Sequence, residues 1–322
     1  MSQHPTLQHV IDARRVIAPY VHRTPLRHYP GLSELLGAEV HVKHENHQVT
    51  CAFKARGGVN LVSRLDDEAR RKGVVTASTG NHAQSIAFGA NTFGIPATIY
   101  MPEGSNPGKV EAARHLGAQV VFHGQDFDDA RLEAERVAQE SGKRYIHSAN
   151  EPDLIAGVGT ATLEILEDLP EVDVIFVPIG GGSGACGACI AAKAINPKIR
   201  VIGVQAEKAP AAYESWKQGQ PVALDLMETA AEGLATRVGF ELTQSILREL
   251  LDDFLLVSEE DIREAVGIYL EQAHTLAEGA GASCLAAALN VKDQIQGQRV
   301  VLILSGGNIS PAQLAEVLRN GS

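Results

Sequence analysis

Cysteine is scarce in this chain. Cys51, Cys186, Cys189 and Cys284 are the only four in 322 residues, too few for a disulfide scaffold. Cys186 and Cys189 have metal-ligand spacing, but no second Cys or His pair follows at zinc-finger distance, so they read as small residues packed on a helix. A reducing cytosol fits that usage. Basic charge is also in short supply: 28 Lys and Arg against 39 Asp and Glu gives 28 − 39 = −11. That balance argues against nucleic acid and anionic membranes as partners. No long uncharged apolar run exists to cross a bilayer, and MSQHPTLQHVIDARRV lacks the pattern of a secretory signal. Internal repeats and low-complexity tracts are absent as well.

What is present is a large apolar fraction, 44%, in a length that suggests about two domains. Glycine is in excess, 31 residues, and sits in short clusters beside apolar runs. Short β-branched runs alternate with helical patterns. Strands are predicted at Glu39–Lys43, Gly73–Ser78, Ala97–Met101, Gln119–Phe122, Arg144–His147, Val172–Val177, Val201–Val204, Phe254–Val257 and Val300–Leu304. Helical spacing covers Ala130–Glu140 and Glu259–Ala273, the latter started by Ser258 and three acids. Such alternation implies an α/β protein with mostly parallel sheet and ligands at the carboxyl ends of the strands. Ala206–Gly239, with Pro210 and Pro221, is expected to be irregular and to wrap the surface or line a cleft.

Three loops share one context, a strand followed by small residues and then a helix. They are Ala77-Ser78-Thr79-Gly80-Asn81-His82-Ala83-Gln84, Pro178-Ile179-Gly180-Gly181-Gly182-Ser183-Gly184, and Leu304-Ser305-Gly306-Gly307-Asn308. Glycine admits a close ligand and a helix start offers free N–H groups, so each loop is a candidate anion cradle. Gly182-Ser183-Gly184-Ala185-Cys186-Gly187 also matches the G-x-G-x-x-G dinucleotide fingerprint, which would make the chain a nicotinamide-dependent oxidoreductase. Gln205 stands where that fingerprint expects an acid, and the match leaves the other loops unexplained. Lys54, in Ala52-Phe53-Lys54-Ala55-Arg56-Gly57, opens the helical stretch Lys54–Leu65, where a cation opposes the helix dipole. A desolvated amine there has a lowered pKa, suited to a Schiff base or to proton transfer.

These motifs, in this order and spacing, resemble fold-type II pyridoxal-phosphate enzymes, in particular the threonine dehydratase and serine racemase branch. Arg23-Thr24-Pro25-Leu26 and Ala277-Glu278-Gly279-Ala280-Gly281-Ala282 are similar to that branch too, so the resemblance spans essentially the whole chain. It implies a tryptophan synthase β-like fold of two doubly wound parallel-sheet domains. Residues 1–67 and 151–322 would form the large cofactor domain and 68–150 the small, mobile substrate domain. The cofactor would be pyridoxal 5′-phosphate and the substrate a small amino acid. A cytoplasmic homodimer is implied, with no nucleic acid, membrane or metal partner.

By the same resemblance, Lys54 would hold the cofactor and move the substrate Cα proton, with Phe53 beside the ring. The amides of Gly180, Gly181, Gly182, Ser183 and Gly184 would take the phosphate, and Asn81 would contact the ring oxygen. Ser78 and Thr79, with the amides of Asn81 and His82, would take the substrate carboxylate. Ser305 would bond the pyridine nitrogen without holding it protonated, which favours loss of a β-hydroxyl over transamination. The implied reaction is dehydration and deamination of L-threonine or L-serine to a 2-oxo acid and ammonia. A serine or aspartate racemase, or a dehydratase of 3-hydroxyaspartate or phenylserine, is the alternative. Thr79 stands where racemising enzymes of the branch carry serine, so it would be the second catalytic group. The carboxylates that bind a divalent ion in some relatives are replaced by Gln205, Ala209 and Ala211. Cys51 replaces a glycine common before the lysine motif. The end at Ser322 leads us to expect no appended regulatory domain.

Overall fold

The apolar runs pair into two separate sheets. A computed structural model describes residues 4–225 and 227–320. Its strands are β1 Leu26–His28, β2 Glu39–His44, β3 Val74–Ala77, β4 Ala97–Met101, β5 Gln119–Phe122, β6 Arg144–Tyr145, β7 Val174–Pro178, β8 Arg200–Ala206, β9 Asp253–Val257 and β10 Arg299–Leu304. Six form one sheet in the order β1-β2-β10-β7-β8-β9, and four form the other, β5-β4-β3-β6. Every pair is parallel except β1 with β2. The nine expected strands all appear, within two residues at each end. The tenth, β1, is a three-residue antiparallel edge, too short to show a period in the sequence.

Helices cover both faces of the large sheet, as continuous apolar runs require. From β7, Val174 and Phe176 enter one core, with Leu302 and Leu304 of β10 and Leu285 of the helix Gly279–Asn290. The alternate residues Ile175, Val177, Val301 and Ile303 enter the opposite core, against Cys186, Cys189 and Ile190 of the helix Ser183–Ile195. The cysteine pair is thus buried packing: all four thiols are free, and only Cys51 is exposed. The predicted start at Ser258 is present. Asp261 N–H donates to Ser258 Oγ and Ser258 N–H to Asp261 Oδ2, each at 3.0 Å.

Outside two short elements, the described part of Ala206–Gly239 is irregular, as expected, and its second half lines a cleft. Among its described residues are the helix Ala211–Gln218 and a 3-10 turn, Glu232–Leu234. Gln205 is fully buried, its Oε1 accepting the Tyr213 amide at 3.0 Å. Among the described residues, no helix is long and apolar enough to cross a membrane.

Candidate active site

β7 and β10 end side by side in the large sheet, and β3 ends in the small one. Each passes directly into one of the three glycine-bearing loops, and all three loops line one cavity of about 860 Å³. Phe53, Lys54, Ser78, Thr79, Asn81, His82, Gly180, Gly181, Gly182, Ser183, Gly184 and Ser305 all lie on its wall. The fourth motif is brought in by a short backbone link. Phe53 N–H donates to Ser305 O and Gly307 N–H to Cys51 O, both at 2.9 Å, around an antiparallel bridge between Ala52 and Gly306. Residues 51–53 thereby lie along 305–307, and Lys54 opens the helix Lys54–Ser63 at the cavity.

The glycine loop delivers a helix N-terminus. Gly182 caps the helix Ser183–Ile195 with φ 95°, a left-handed angle that side chains rarely adopt. The first-turn amides have no acceptor within the helix and carry the positive end of its dipole. The G-x-G-x-x-G match divides between two jobs. Gly182 and Gly184 line the cavity, while Gly187 meets another helix, where a Cβ would stand 2.7 Å from Gly159 N.

Lys54 Nζ donates to Ser148 O at 2.9 Å and to Ser183 Oγ at 3.2 Å, and has no carboxylate partner among the described residues. Desolvation lowers the amine to about 8. Two residues on, Arg56 leaves the opposite side of the helix, since two residues turn it by about 200°. There it meets Glu45 at 2.7 and 2.9 Å and Glu164 at 2.7 and 2.8 Å. Lys43 donates to Glu164 at 2.6 Å, and Thr24 to Glu45 at 2.5 Å. This closed cluster of two cations and two anions, all buried, accounts for Thr24 in the Arg-Thr-Pro motif and for Arg56.

The loop after β3 is held from beneath. Gly80 N–H donates to Ser78 Oγ at 3.2 Å, and His82 Nε2 bonds Thr76 Oγ1 at 3.0 Å. Burial, with Lys54 and His147 nearby, pushes His82 well below its ordinary range, so the ring is neutral. Asn81 is gripped at both ends of its amide. Nδ2 donates to Glu278 Oε1 and Oδ1 accepts from Asn308 Nδ2, each at 2.7 Å. Both partners lie in motifs quoted from the sequence, but neither is given a role there. Glu278 lies 197 positions from Asn81, and its one signal was an acid standing alone among Ala and Gly. His147 lines the cavity, but its Nδ1 accepts the amides of Ala149 and Asn150, which keeps its role in the turn.

The family described as pyridoxal-phosphate dependent enzyme matches residues 17–306. The chain belongs to that family. It is 42% identical over 316 residues to an L-threonine ammonia-lyase of Thermotoga maritima, covering 98% of this chain and 79% of the relative. Among solved structures, maize serine racemase superposes with TM-score 0.93 at 35% identity, covering 99% of this chain and 98% of the other. The processed threonine deaminase isoform 2 of Solanum lycopersicum also gives 0.93, at 32% identity over 99% and 96%. The overall shape is fold-type II, and by itself it does not separate the racemase from the deaminase.

The cavity fits the family's cofactor, pyridoxal 5′-phosphate, on its own chemistry. An amine desolvated to about 8 and free of counter-ions suits a carbonyl partner. Unpaired first-turn amides suit a phosphate. Phe53 supplies a flat apolar wall, its ring centroid 5.3 Å from Lys54 Nζ. Ser305 offers a hydroxyl to the same space.

Proposed function

We propose that this protein is an L-threonine ammonia-lyase, which converts L-threonine, and more slowly L-serine, to a 2-oxo acid and ammonia. The observation that carries the reading is the 42% identity to the Thermotoga L-threonine ammonia-lyase across 98% of the chain, with a desolvated lysine on the wall of the cavity.

Bound pyridoxal phosphate supplies an electron sink for the bond broken at the substrate Cα. The roles we assign to the protein are those the resemblance implies, supported by the presence of these residues on the cavity wall. Lys54 holds the cofactor and then accepts the Cα proton, for which an amine near 8 is well matched at neutral pH. The amides of Gly180, Gly181, Gly182, Ser183 and Gly184 bind phosphate at the helix start. Phe53 would pack on the ring and Asn81 would meet its oxygen. Ser305, a neutral donor and acceptor, would meet its nitrogen. Ser78 and Thr79, with the amides of Asn81 and His82, orient the substrate carboxylate. Loss of the Cα proton and the β-hydroxyl together amounts to loss of water; the released enamine would tautomerise to an imine, which water would hydrolyse to the 2-oxo acid and ammonia.

We further propose that residues 68–150, which carry the substrate loop and the four-stranded sheet, move as a small domain against 1–67 and 151–322. A cytoplasmic homodimer completes the reading. Free thiols support the compartment, and light scattering of the purified protein tests the dimer.

The decisive assay measures 2-oxo acid and ammonia release from L-threonine, L-serine, D-serine, 3-hydroxyaspartate and phenylserine, with chiral analysis of the recovered amino acid. Fastest release from L-threonine with unchanged chirality is expected. Isomer exchange that outpaces elimination, and that is lost in Thr79→Ala, would instead make the protein a racemase.

A further inference from the structure

Glu278 is a carboxylate on the cavity wall that the reading above leaves without a role. It stands at the N-cap of the helix Gly279–Asn290 yet makes no side-chain cap bond. Its side chain turns to Asn81 instead, at 2.7 Å. The space it occupies exists because residue 306 is glycine: a Cβ there would stand 2.4 Å from Glu278 Oε1. Asn308, two residues further, holds the other end of the same amide. A donor on one side and an acceptor on the other permit only one orientation of Asn81, and leave one Nδ2 proton uncommitted.

We propose that Glu278 is a positioning residue whose carboxyl locks the Asn81 amide beside the ring oxygen of bound pyridoxal phosphate and makes the surroundings of that oxygen change with pH. The inference rests on the cofactor reading above. An ionised Glu278 holds Asn81 by a charge-assisted bond, roughly twice as strong as the neutral bond left after protonation. Burial pushes this carboxyl up to about 7, against the opposing bond from Asn81, so the change falls near neutrality. The other charges that act on it, Lys109 and Glu232, do so in opposite directions and are paired with each other. Lys54, Glu259 and Arg263 line the same cavity.

The test records the visible band of the pyridoxal-phosphate-loaded enzyme from about pH 5.5 to about 8.5. The wild-type band is expected to change shape with a midpoint within about one pH unit of 7. Glu278→Gln should keep the band and lose the change, and Glu278→Asp should restore it at a displaced midpoint. In the cofactor-free protein, Glu278→Gln should also flatten the dependence of Tm on pH over the same range. A change that persists in Glu278→Gln overturns the proposal. Should that variant not fold, Asn308→Ala frees the other end of Asn81 and must displace the midpoint; an unmoved midpoint overturns the proposal equally. The two readings fail differently. No visible band in the wild type defeats the cofactor reading. A band that Lys54→Ala abolishes, but that does not change with pH, defeats this inference alone.

Discussion

The helix Lys54–Ser63 separates two charged regions with opposite logic. On one side, Arg56 and Lys43 meet Glu45 and Glu164 in a cluster whose formal charges cancel and whose donors are used. Burial alone would lower the Arg56 guanidinium, yet the two carboxylates hold it above its ordinary value. On the other side, Lys54 and Glu278 face the cavity without ionic partners, and burial moves each toward neutrality, to about 8 and about 7. Two residues of sequence, Lys54 and Arg56, belong to these two regimes. Pairing fixes a charge where it stands, whereas leaving it unpaired makes its proton exchangeable, which is what acid–base chemistry needs. The paired side anchors the helix whose first residue works on the unpaired side.

Substitutions on the two sides should therefore fail in opposite ways. Lys54→Ala is expected to lose about 10³-fold or more in kcat for threonine deamination. The cofactor-free variant should nonetheless unfold at a pH 7 midpoint no lower than wild type, because a desolvated unpaired amine is removed. A variant both inactive and markedly unstable would erase the contrast. Arg56→Ala should do the reverse, costing about 3–5 kcal/mol in urea unfolding because two buried carboxylates lose their partner. Replacing Lys43, Glu45, Arg56 and Glu164 together by apolar residues of similar volume should recover most of that loss. If the single substitution costs under about 1 kcal/mol, pairing is not what fixes this region.

Glu278 sharpens the comparison through pH. Its folded-state pKa lies above the ordinary 4.5, so the folded protein binds the proton more tightly than the unfolded chain. The associated stability is present in full below 4.5 and is lost as pH rises through about 7. A rise of that size corresponds to about 3 kcal/mol as an upper bound. Glu278→Gln in the cofactor-free protein should match wild type in acid and exceed it above pH 7, read by urea unfolding at a series of pH values. Parallel curves for the two proteins would place Glu278 with the paired group instead.

The two regions were unequally legible in the sequence. Strand positions could be read because both faces of each sheet are covered, which leaves unbroken apolar runs such as Val300–Leu304. The cavity loops could be read because glycine and small polar residues follow those runs directly. β1 could not, since three residues at an edge carry no period. The paired cluster was invisible as a cluster: Arg56 and Glu164 are 108 positions apart, and buried charges look like surface charges in a sequence. Glu278 and Asn308 stand in motifs that could be read, but their meeting at Asn81 could not be, for the same reason of sequence distance. Their shared partner, Asn81, comes from a different sheet. Motif order located the cavity, but only the fold showed which polar groups meet there and which are left unpaired.

The smallest predicted effect concerns the joint between the two regions. Cys51 precedes the lysine motif where glycine is common in this branch, and it has φ 53°, one of two left-handed non-glycine residues among those described. The angle is imposed on both sides. Cys51 N–H donates to Gln48 O at 2.7 Å, and Cys51 O accepts from Gly307 at 2.9 Å, in the link that sets Lys54 beside Ser305. A side chain in that conformation costs about 1–2 kcal/mol. Glycine would relieve it, while adding about 0.5–1 kcal/mol of unfolded-state entropy. Because the thiol is exposed, no packing is lost. Cys51→Gly should therefore stabilise the protein by up to about 1 kcal/mol, with kcat and KM unchanged. A loss of stability, or a change in KM, would mean that the Cys51 side chain contributes to the seating of Lys54, and that the joint depends on more than its backbone bonds.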